Sequence, residues 1–508
     1  MAAAAPGTLS PSAHGSLAVI DIGSNSGRMI VVRAGSGGHL EIGADARFPL
    51  RLVRESAARG GRLGAAAVGR VVEALRAFLA ISRSADADSV VAVATAAIRE
   101  ASNREDFVSR VAAASGVELE VLSGDQEAGF AYSGAVHGLP VDSGLVVDIG
   151  GGSVEICHFR GRRPLRQWTL PLGALLLSDR FVPSDPPRPS EIARLAEHVM
   201  TTVGRAGVPR LGSGEQLVGT GGTLRNLAKI DRARRTYPIT RLHGYRLSRD
   251  GVDWAVTTLA GRSLARRRRV SGLSDDRADS IVGGALCAQA LFFALGAGEL
   301  IVSGRGLREG IALDRLGLPI TAAAQVRASS VAALAARFAT WDPARSRLRA
   351  GISGQLLEGL DPGAAEDARE TLAHAADLVD IGRSVDYYSR WEHAARIVAD
   401  SDLYGFGHRE IVLLSATLER SGDDRVTLPG YRALLSTQDR GQLESLAVVL
   451  RLADELSHRL LAGQSISVQA RRGGVSVLVP SDVGRLDEEV ERRFQRCFGR
   501  PLRISVEA

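Results

Sequence analysis

The sequence is poor in cysteine and lacks several familiar motifs. Its three cysteines, Cys157, Cys287 and Cys497, lie far apart and form no Cys-x-x-Cys pair, which excludes a zinc knuckle and a disulfide-stapled scaffold. The most apolar stretch, residues 281–298, contains glycines and a glutamine, so it predicts a buried helix rather than a membrane span. The GxxxxGK[ST] motif of P-loop proteins is absent, as is a GxSxG nucleophile elbow in a strand-to-helix context.

Lysine is nearly absent as well. Lys229 is the only lysine, so the net charge of +6 comes almost entirely from arginine. The planar guanidinium can bind phosphate through two hydrogen bonds, which lysine cannot do. Drift in nucleotide composition is an alternative explanation, since alanine and glycine are also abundant. A mildly basic chain is compatible with a polyanionic partner, and neither DNA nor a membrane is predicted as one.

The length of 508 residues exceeds one domain of about 150 residues. Apolar strand-like runs alternate with helical periods up to residue 316, which predicts an α/β architecture. These runs are residues 17–22, 29–32, 90–94, 119–122, 144–149, 154–159, 216–218 and 299–302. Helical periods follow, and the last fifty or so residues return to strand patterns.

These patterns predict five divisions of the chain. They are a floppy tail over residues 1–16, two α/β subdomains over 17–138 and 139–320, a helical domain over 321–462 and a small α/β unit over 463–508. The tail has neither a basic start nor an apolar centre, so it does not resemble a signal peptide. We therefore expect a cytoplasmic protein.

One internal repeat stands out in the first half of the chain. AVIDIGSNSGR at residues 18–28 resembles LVVDIGGGSVE at residues 145–155. Each copy is an apolar strand that ends in Asp-Ile-Gly, with Asp21 or Asp148 at its end, followed by a loop of small residues. Two similar subdomains that open with the same strand and loop are therefore expected.

The chemistry of these loops fits a phosphate. Glycines allow the sharp turn in which successive backbone N–H groups converge on an anion. Further donors are the side chains of Ser24, Asn25, Ser26 and Ser153. A carboxylate repels phosphate, so the aspartates are expected to hold a divalent metal instead. A single strand–Asp–Gly loop also builds ordinary tight turns, so the prediction depends on the two copies facing one cleft.

Two further glycine loops follow strands. Residues 217–228, LVGTGGTLRNLA, place a helix start after the loop, which suits an anion or is merely a capped helix. Residues 300–313, LIVSGRGLREGIAL, repeat the pattern with Arg305 and Arg308. For this fourth loop we favour a structural role.

Seven motifs in this order resemble the exopolyphosphatase and guanosine pentaphosphate phosphatase family, within the superfamily of actin, sugar kinases and Hsp70. They are DIGSNSGR, ATAAIREASNREDF, LSGDQEA, VVDIGGGSVE, LPLGALLLSDRF, VGTGGTLRNLA and VSGRGLREG, all within the first 316 residues. The resemblance implies two actin-like, ribonuclease H-like subdomains around a cleft. It also implies hydrolysis of phosphoanhydride bonds with Mg²⁺ or Mn²⁺.

The same resemblance assigns roles to individual residues. Glu127 matches the general base and Glu155 the second catalytic acid; without the resemblance, Glu127 and Arg99 would be taken for surface charges. The implied metal ligands are Asp21, Asp148 and Glu155. The implied phosphate-binding residues are Ser24, Asn25, Arg28, Arg99, Gly151, Gly152, Ser153, Gly221, Gly222 and Thr223.

The helical region resembles the HD-like domain of long exopolyphosphatases. An active HD domain needs a His-Asp pair, but here Val379 precedes Asp380. Asp380 and Asp454 remain, and two carboxylates without imidazoles make a poor transition-metal site. We therefore expect no catalysis there, and instead a dimer interface or a groove for long chains.

The resemblance implies that the chain is an exopolyphosphatase, releasing orthophosphate from the end of inorganic polyphosphate by direct attack of water. A guanosine pentaphosphate 5′-phosphohydrolase, or both activities in one site, is the close alternative. An ATP-dependent kinase of the same superfamily and a non-catalytic sensor are more distant ones. A homodimer is expected.

Overall fold

The structure, a computed structural model, describes residues 15–35, 38–422, 431–471 and 473–507. All but the last two residues of the tail expected at the N-terminus lie outside the described residues. The chain forms two compact units, the first ending at Val326 and the second beginning at Arg327. The finer division into four folded parts stays a prediction.

The first unit alternates strands and helices. Its strands are β1 (Ser16–Ile22), β2 (Ser26–Ala34), β3 (Leu40–Pro49), β4 (Ser89–Ala94), β5 (Glu120–Val121), β6 (Gly144–Ile149), β7 (Val154–Arg160), β8 (Arg163–Leu170), β9 (Gln216–Thr220), β10 (Tyr245–Ser248) and β11 (Glu299–Val302). Its helices are α1 (Leu52–Ala58), α2 (Ala65–Ser84), α3 (Ala96–Arg99), α4 (Arg104–Ser115), α5 (Gly124–His137), α6 (Ala174–Phe181), α7 (Pro189–Ala206), α8 (Gly221–Arg234), α9 (Arg249–Ala260), α10 (Leu264–Arg267), α11 (Ile281–Leu295) and α12 (Leu307–Arg315).

The two sheets of this unit share one topology. The first has the strand order β3-β2-β1-β4-β5, and the second has the order β8-β7-β6-β9-β11-β10. In each sheet the strand of the repeated motif, β1 or β6, pairs antiparallel with the next strand and parallel with a later one. The internal repeat of the sequence therefore corresponds to two α/β subdomains, as predicted.

The central strand β1 is buried on both faces. Its side chains alternate between two apolar clusters: Ala18, Ile20 and Ile22 pack with residues of α2 on one face, whereas Leu17 and Val19 pack with residues of α12 on the other. A strand covered on both faces is a continuous apolar run rather than an alternating one. This explains why the strand β1 was predictable from the sequence.

Helices α5 and α12 cross at glycines. A Cβ placed on Gly310 of α12 would lie 1.8 Å from the carbonyl oxygen of Phe130, and one on Gly134 of α5 would lie 2.0 Å from that of Gly306. Real Cβ atoms do not approach backbone this closely, so the two helix backbones touch only because these side chains are absent. The crossing also fixes the two helices that bring Glu127 and Arg308 to one cavity.

Replacing Gly310 with alanine is expected to lower the free energy of unfolding of the first unit by about 1–3 kcal/mol or more, because the new methyl group forces two helix backbones apart. Urea unfolding of the full chain measures the loss. The matched control is Gly69→Ala in α2, where a Cβ meets nothing within 4 Å and alanine is neutral or stabilising. Equal stability of the two variants would contradict the tight crossing.

The second unit is mostly helical with a small sheet, in agreement with the predicted fold class. Its helices are α13 (Val326–Ala335), α14 (Pro343–Leu360), α15 (Glu366–Leu378), α16 (Arg390–Asp400), α17 (His408–Gly422), α18 (Thr437–Ser457) and α19 (Glu488–Phe498), and its strands are β12 (Ser467–Arg471), β13 (Gly474–Val479) and β14 (Leu502–Val506). None of the helices in the described part of the chain combines the length and apolar character that a membrane crossing requires.

An arginine lies at the centre of this second unit. Arg349 of α14 is completely buried, and its guanidinium lies 2.7 Å from Asp380 and 2.8 Å from Asp454. These are the two carboxylates that the sequence indicated as remnants of an HD metal site. A cation supplied by the chain thus lies between them, and Arg390 contacts Asp454 at 2.9 Å from another side.

Candidate active site

The two copies of the repeated loop fold alike. After β1, the N–H of Gly23 donates to the carbonyl of Ser26 at 3.2 Å, and after β6 the N–H of Gly150 donates to the carbonyl of Ser153 at 3.0 Å. Each turn reverses the chain into an antiparallel strand within four residues. The two loops therefore occupy equivalent positions, at the C-terminal ends of the strands β1 and β6 of their respective sheets.

Strand register sets which side chains accompany the two aspartates. Asp21 pairs across β1 and β2 with Arg28, and Asp148 pairs across β6 and β7 with Glu155. Side chains directly opposite in such a pair point to the same face of the sheet. The first copy therefore presents a carboxylate beside the guanidinium of Arg28. The second copy presents two carboxylates side by side.

One cavity of about 120 Å³ collects most of the predicted residues. Those lining it are Asp21, Ser24, Asn25, Arg28, Glu127, Asp148, Gly151, Ser153, Glu155, Gly221 and Gly222. Arg99, Gly152 and Thr223 do not line it. Gly152 turns its carbonyl to the N–H of Gly173, and Thr223 is buried in α8. Loops of both subdomains thus face one cavity, as the repeat predicted.

The structure adds residues that sequence reasoning did not assign to the site. They are Thr95, Arg225, Arg277, Gly306, Leu307, Arg308 and Glu309. Arg308 belongs to the fourth glycine loop, for which a structural role was favoured; the structure instead places it in the cavity wall. Arg225 lies inside the third glycine loop and its motif VGTGGTLRNLA and could have been found there, whereas Arg277 lies in a short 3₁₀ turn with no motif to mark it.

Glu127 is held at the start of α5. Ser123 caps this helix, because its hydroxyl accepts from the N–H of Gln126 at 3.2 Å while the Gln126 side chain accepts from the N–H of Ser123 at 2.9 Å. Arg99 donates to Glu127 at 2.6 Å and to the carbonyl of Leu122 at 3.2 Å. Arg99 therefore holds the carboxylate of Glu127 in place through this hydrogen bond, and it does not itself line the cavity.

Burial raises the pKa values of four carboxyl groups that line the cavity. It raises the pKa of Glu127 to about 7 against the opposing hydrogen bond from Arg99, and it raises the pKa of Asp21 to about 6 against the attraction of Arg308 and Arg28. Burial also raises the pKa of Asp148. The pKa of Glu155 lies well above its usual range, through burial and then repulsion from Glu127 and Asp148. A bound cation would relieve these costs.

Burial and mutual repulsion lower the pKa values of three arginines that line the cavity. Burial, followed by repulsion from Arg308, Arg225 and other arginines, lowers the pKa of Arg28 to about 9. Burial likewise lowers the pKa of Arg225 and of Arg277. Several guanidinium groups that disfavour one another's charge form a site that a multiply charged anion would stabilise.

The third glycine loop approaches Asp148 directly. Gly221 has a φ of +87°, and a Cβ there would lie 2.1 Å from Oδ1 of Asp148. The preceding Thr220 donates its hydroxyl proton to the carbonyl of Arg305 at 2.6 Å, which ties the third loop to the fourth. Both the conformation and the space at Gly221 thus require glycine.

The acids of the cavity fit a hard divalent cation. Oδ1 of Asp21 and Oε1 of Glu155 are buried without a hydrogen-bond partner, and carboxylate oxygens are the ligands that Mg²⁺ prefers. Among the described residues, no three His, Cys, Asp or Glu side chains are grouped closely enough to hold a metal by themselves. Mg²⁺ commonly has few protein ligands and completes its shell with water and substrate phosphate, so the residues present suit it.

The model of the Ppx/GppA phosphatase family matches residues 30–318. The chain belongs to this family. A second model, Ppx/GppA phosphatase, domain III, matches residues 326–469. Ppx/GppA membership confirms the resemblance noted in the sequence and makes the chain a phosphatase that acts on phosphoanhydride bonds.

Individual Ppx/GppA relatives agree with this assignment. The chain is similar to Exopolyphosphatase 1 of Mycobacterium tuberculosis, at 31% identity over 319 residues, which cover 62% of this chain and 92% of that protein. The crystal structure of the Aquifex aeolicus family member has 29% identity and a TM-score of 0.53, covering 59% of this chain and 97% of that one.

An exopolyphosphatase from Cytophaga hutchinsonii shares the fold, with 22% identity, a TM-score of 0.55 and coverage of 60% of this chain and 99% of that one. The fold class predicted from the sequence, two actin-like subdomains followed by a further domain, is confirmed by these structures and by the domain III match.

Proposed function

We propose that the chain is an exopolyphosphatase that removes orthophosphate from the end of inorganic polyphosphate. The observation that carries this proposal is a single cavity in which a buried carboxylate, Glu127, faces the glycine loops and the arginines of both subdomains. Amides and guanidinium groups neutralise a terminal phosphate, while the carboxylate accepts a proton from water. A relative named Exopolyphosphatase 1 supports this substrate class.

The reaction follows from the roles of these side chains. Water attacks the terminal phosphorus, and Glu127 takes its proton as the new P–O bond forms. The bond to the bridging oxygen breaks, and this oxygen leaves on a chain shorter by one phosphate. Asp21, Asp148 and Glu155 would hold Mg²⁺, which supplies positive charge to the phosphate oxygens when bound. Arg99 keeps the carboxylate of Glu127 aimed at the water.

Phosphate release from long polyphosphate, tripolyphosphate, guanosine pentaphosphate and ATP, with and without Mg²⁺, tests the proposal. We expect Mg²⁺-dependent orthophosphate release from long polyphosphate, because the arginines and loop amides match a chain of repeated phosphates. Release from guanosine pentaphosphate alone would assign the chain to the nucleotide phosphohydrolases instead. ATP-dependent transfer to a sugar without polyphosphate hydrolysis would favour a kinase.

A further inference from the structure

A second cavity adjoins the first. It has a volume of about 230 Å³ and is lined by Asn25, Arg47, Pro49, Arg51 and Asp276. Asn25 also lines the cavity that contains Glu127, so the two cavities adjoin at this residue. A linear ligand whose end is held in the first cavity can therefore continue into the second.

Arg51 holds an unusual backbone conformation at this position. Its φ is 53°, in the left-handed region that residues other than glycine rarely adopt. Its N–H donates to the carbonyl of Asn25 at 2.9 Å, as does the N–H of Leu50. Such a conformation persists only where the surrounding structure holds it in place. Here it places an arginine, rather than a glycine, at the rim of the second cavity.

The charge of Arg51 is poorly compensated. Arg47 forms an ion pair with Asp276, and Asp279 accepts a 2.7 Å hydrogen bond from Arg54. The guanidinium of Arg51 lies 3.7 Å from Asp279, and its side chain is 52% exposed. Within the described residues this guanidinium makes no hydrogen bond, so its donors are available to a ligand.

The second cavity also has positively charged side chains in its lining, Arg47 and Arg51. Arg47 is among the groups that lower the pKa of both Arg28 and Arg277, although burial is the largest cause for each. Arg47, which lines the second cavity, thus adds to the positive charge acting on arginines of the first. Asp276 opposes it but is already paired with Arg47, which leaves Arg51, 3.7 Å from Asp279, as the least compensated of these charges.

We propose that the second cavity binds the inner phosphate groups of a linear chain whose terminal phosphate lies beside Glu127, with Arg51 as the principal contact. This subsite rests on the proposed function, because the chain must enter the first cavity by its phosphate end. The chemistry is shared by inorganic polyphosphate and by the inner phosphates of guanosine pentaphosphate. Arginine is suited to it, since its planar fork can bind two phosphate oxygens at once.

Steady-state kinetics of Arg51→Gly and Arg51→Gln with pyrophosphate, long polyphosphate and guanosine pentaphosphate test the subsite. We expect the KM for long polyphosphate to rise about fivefold with little change in kcat, the effect of losing one exposed charge-assisted contact. The KM for pyrophosphate should change much less. Glycine suits the left-handed backbone of position 51, so a folding defect would not explain the result for Arg51→Gly.

Arg110→Gln is the matched control. Arg110 lies on α4, is 45% exposed and is 3.8 Å from Asp106, so it resembles Arg51 in exposure and pairing but lies away from the cavity. Its KM values should equal those of the parent. Parental KM values in both Arg51 variants, or an equal rise for pyrophosphate and the longer substrates, would overturn the subsite.

The parent enzyme separates this inference from the function on which it rests. If the parent releases no phosphate from long polyphosphate but hydrolyses guanosine pentaphosphate, the proposed substrate is wrong. A KM rise confined to guanosine pentaphosphate in the Arg51 variants would then support the subsite with a nucleotide as the source of the inner phosphates.

Discussion

Replacing Glu127 with glutamine is expected to lower kcat for phosphate release by about 100-fold or more, because a positioned general base contributes at least this factor. Glutamine has nearly the same shape, and its amide oxygen can still accept the hydrogen bond that Arg99 donates at 2.6 Å. It cannot accept a proton from water. Phosphate release at saturating substrate and Mg²⁺ measures the loss.

Asp125→Asn is the control for this substitution. Asp125 lies in the first turn of α5, two residues before Glu127, but it is exposed and does not line the cavity. Its removal changes the charge of the same helix end without touching the proposed base, so kcat should stay at the parental value. A Glu127→Gln enzyme as active as the parent would transfer the role of base to another residue.

The pH profile gives an independent signature of the same carboxylate. Because burial raises the pKa of Glu127 to about 7, the free enzyme holds much of it protonated below that pH. A base acts only when deprotonated, so kcat/KM of the parent should rise as pH increases through about 7 and then level off. The residual activity of Glu127→Gln should lack the part of this rise that belongs to Glu127, whereas Asp21 and Glu155, whose pKa values burial also raises, still contribute.

Apolar central strands and the short edge strand β5 were predictable from the sequence, whereas the other three edge strands of the first unit were not. The strands β3, β8 and β10, which lie at sheet edges, were missed, because an edge strand faces solvent and need not be an apolar run. Most residues of β3 and β8 are exposed or half-buried. The duplicated strands β1 and β6 are almost wholly buried, so their apolar runs and their shared Asp-Ile-Gly ends were visible.

Site residues were predictable where one motif carried them. Asp21 and Asp148 were found because each ends a recognisable strand. Arg277 was not, since it reaches the cavity only through the packing of a distant 3₁₀ turn. Arg99 is a different case: its motif indicated a phosphate contact, whereas the structure pairs its guanidinium with Glu127, and the phosphate contact stays a prediction. Local patterns thus locate loops, and tertiary packing decides which side chains face the ligand.

The buried ion cluster of the second unit predicts a large effect on stability. Replacing Arg349 with methionine is expected to lower the free energy of unfolding by about 3–5 kcal/mol, because two buried carboxylates lose their shared cation. Asp380 and Asp454 are 1% and 2% exposed, so water cannot replace it. Methionine has a similar length and keeps the apolar packing of the arginine stem.

Hydrogen exchange of α14 peptides in the full chain, measured against urea, reports the stability of this unit separately from the first. Arg347→Met is the control, since Arg347 is an exposed arginine on the same helix and should change little. The triple variant Arg349→Met, Asp380→Asn, Asp454→Asn should recover part of the loss, because both buried carboxylates are then neutral. Arg390, which is 11% exposed, loses its partner Asp454 in that variant, so the recovery is not complete.

Acid should weaken the parent through the same cluster. Burial alone would raise the pKa of Asp454, but Arg349 and Arg390 outweigh it, so the folded pKa lies below that of an ordinary aspartate. The stability from this carboxylate is therefore present above the unfolded aspartate pKa of about 3.9 and is lost as pH falls through the lower folded value. The triple variant lacks this carboxylate and should lose less stability over that range.

If Arg349→Met were as stable as the parent at neutral pH, the guanidinium would not be what holds the two carboxylates together.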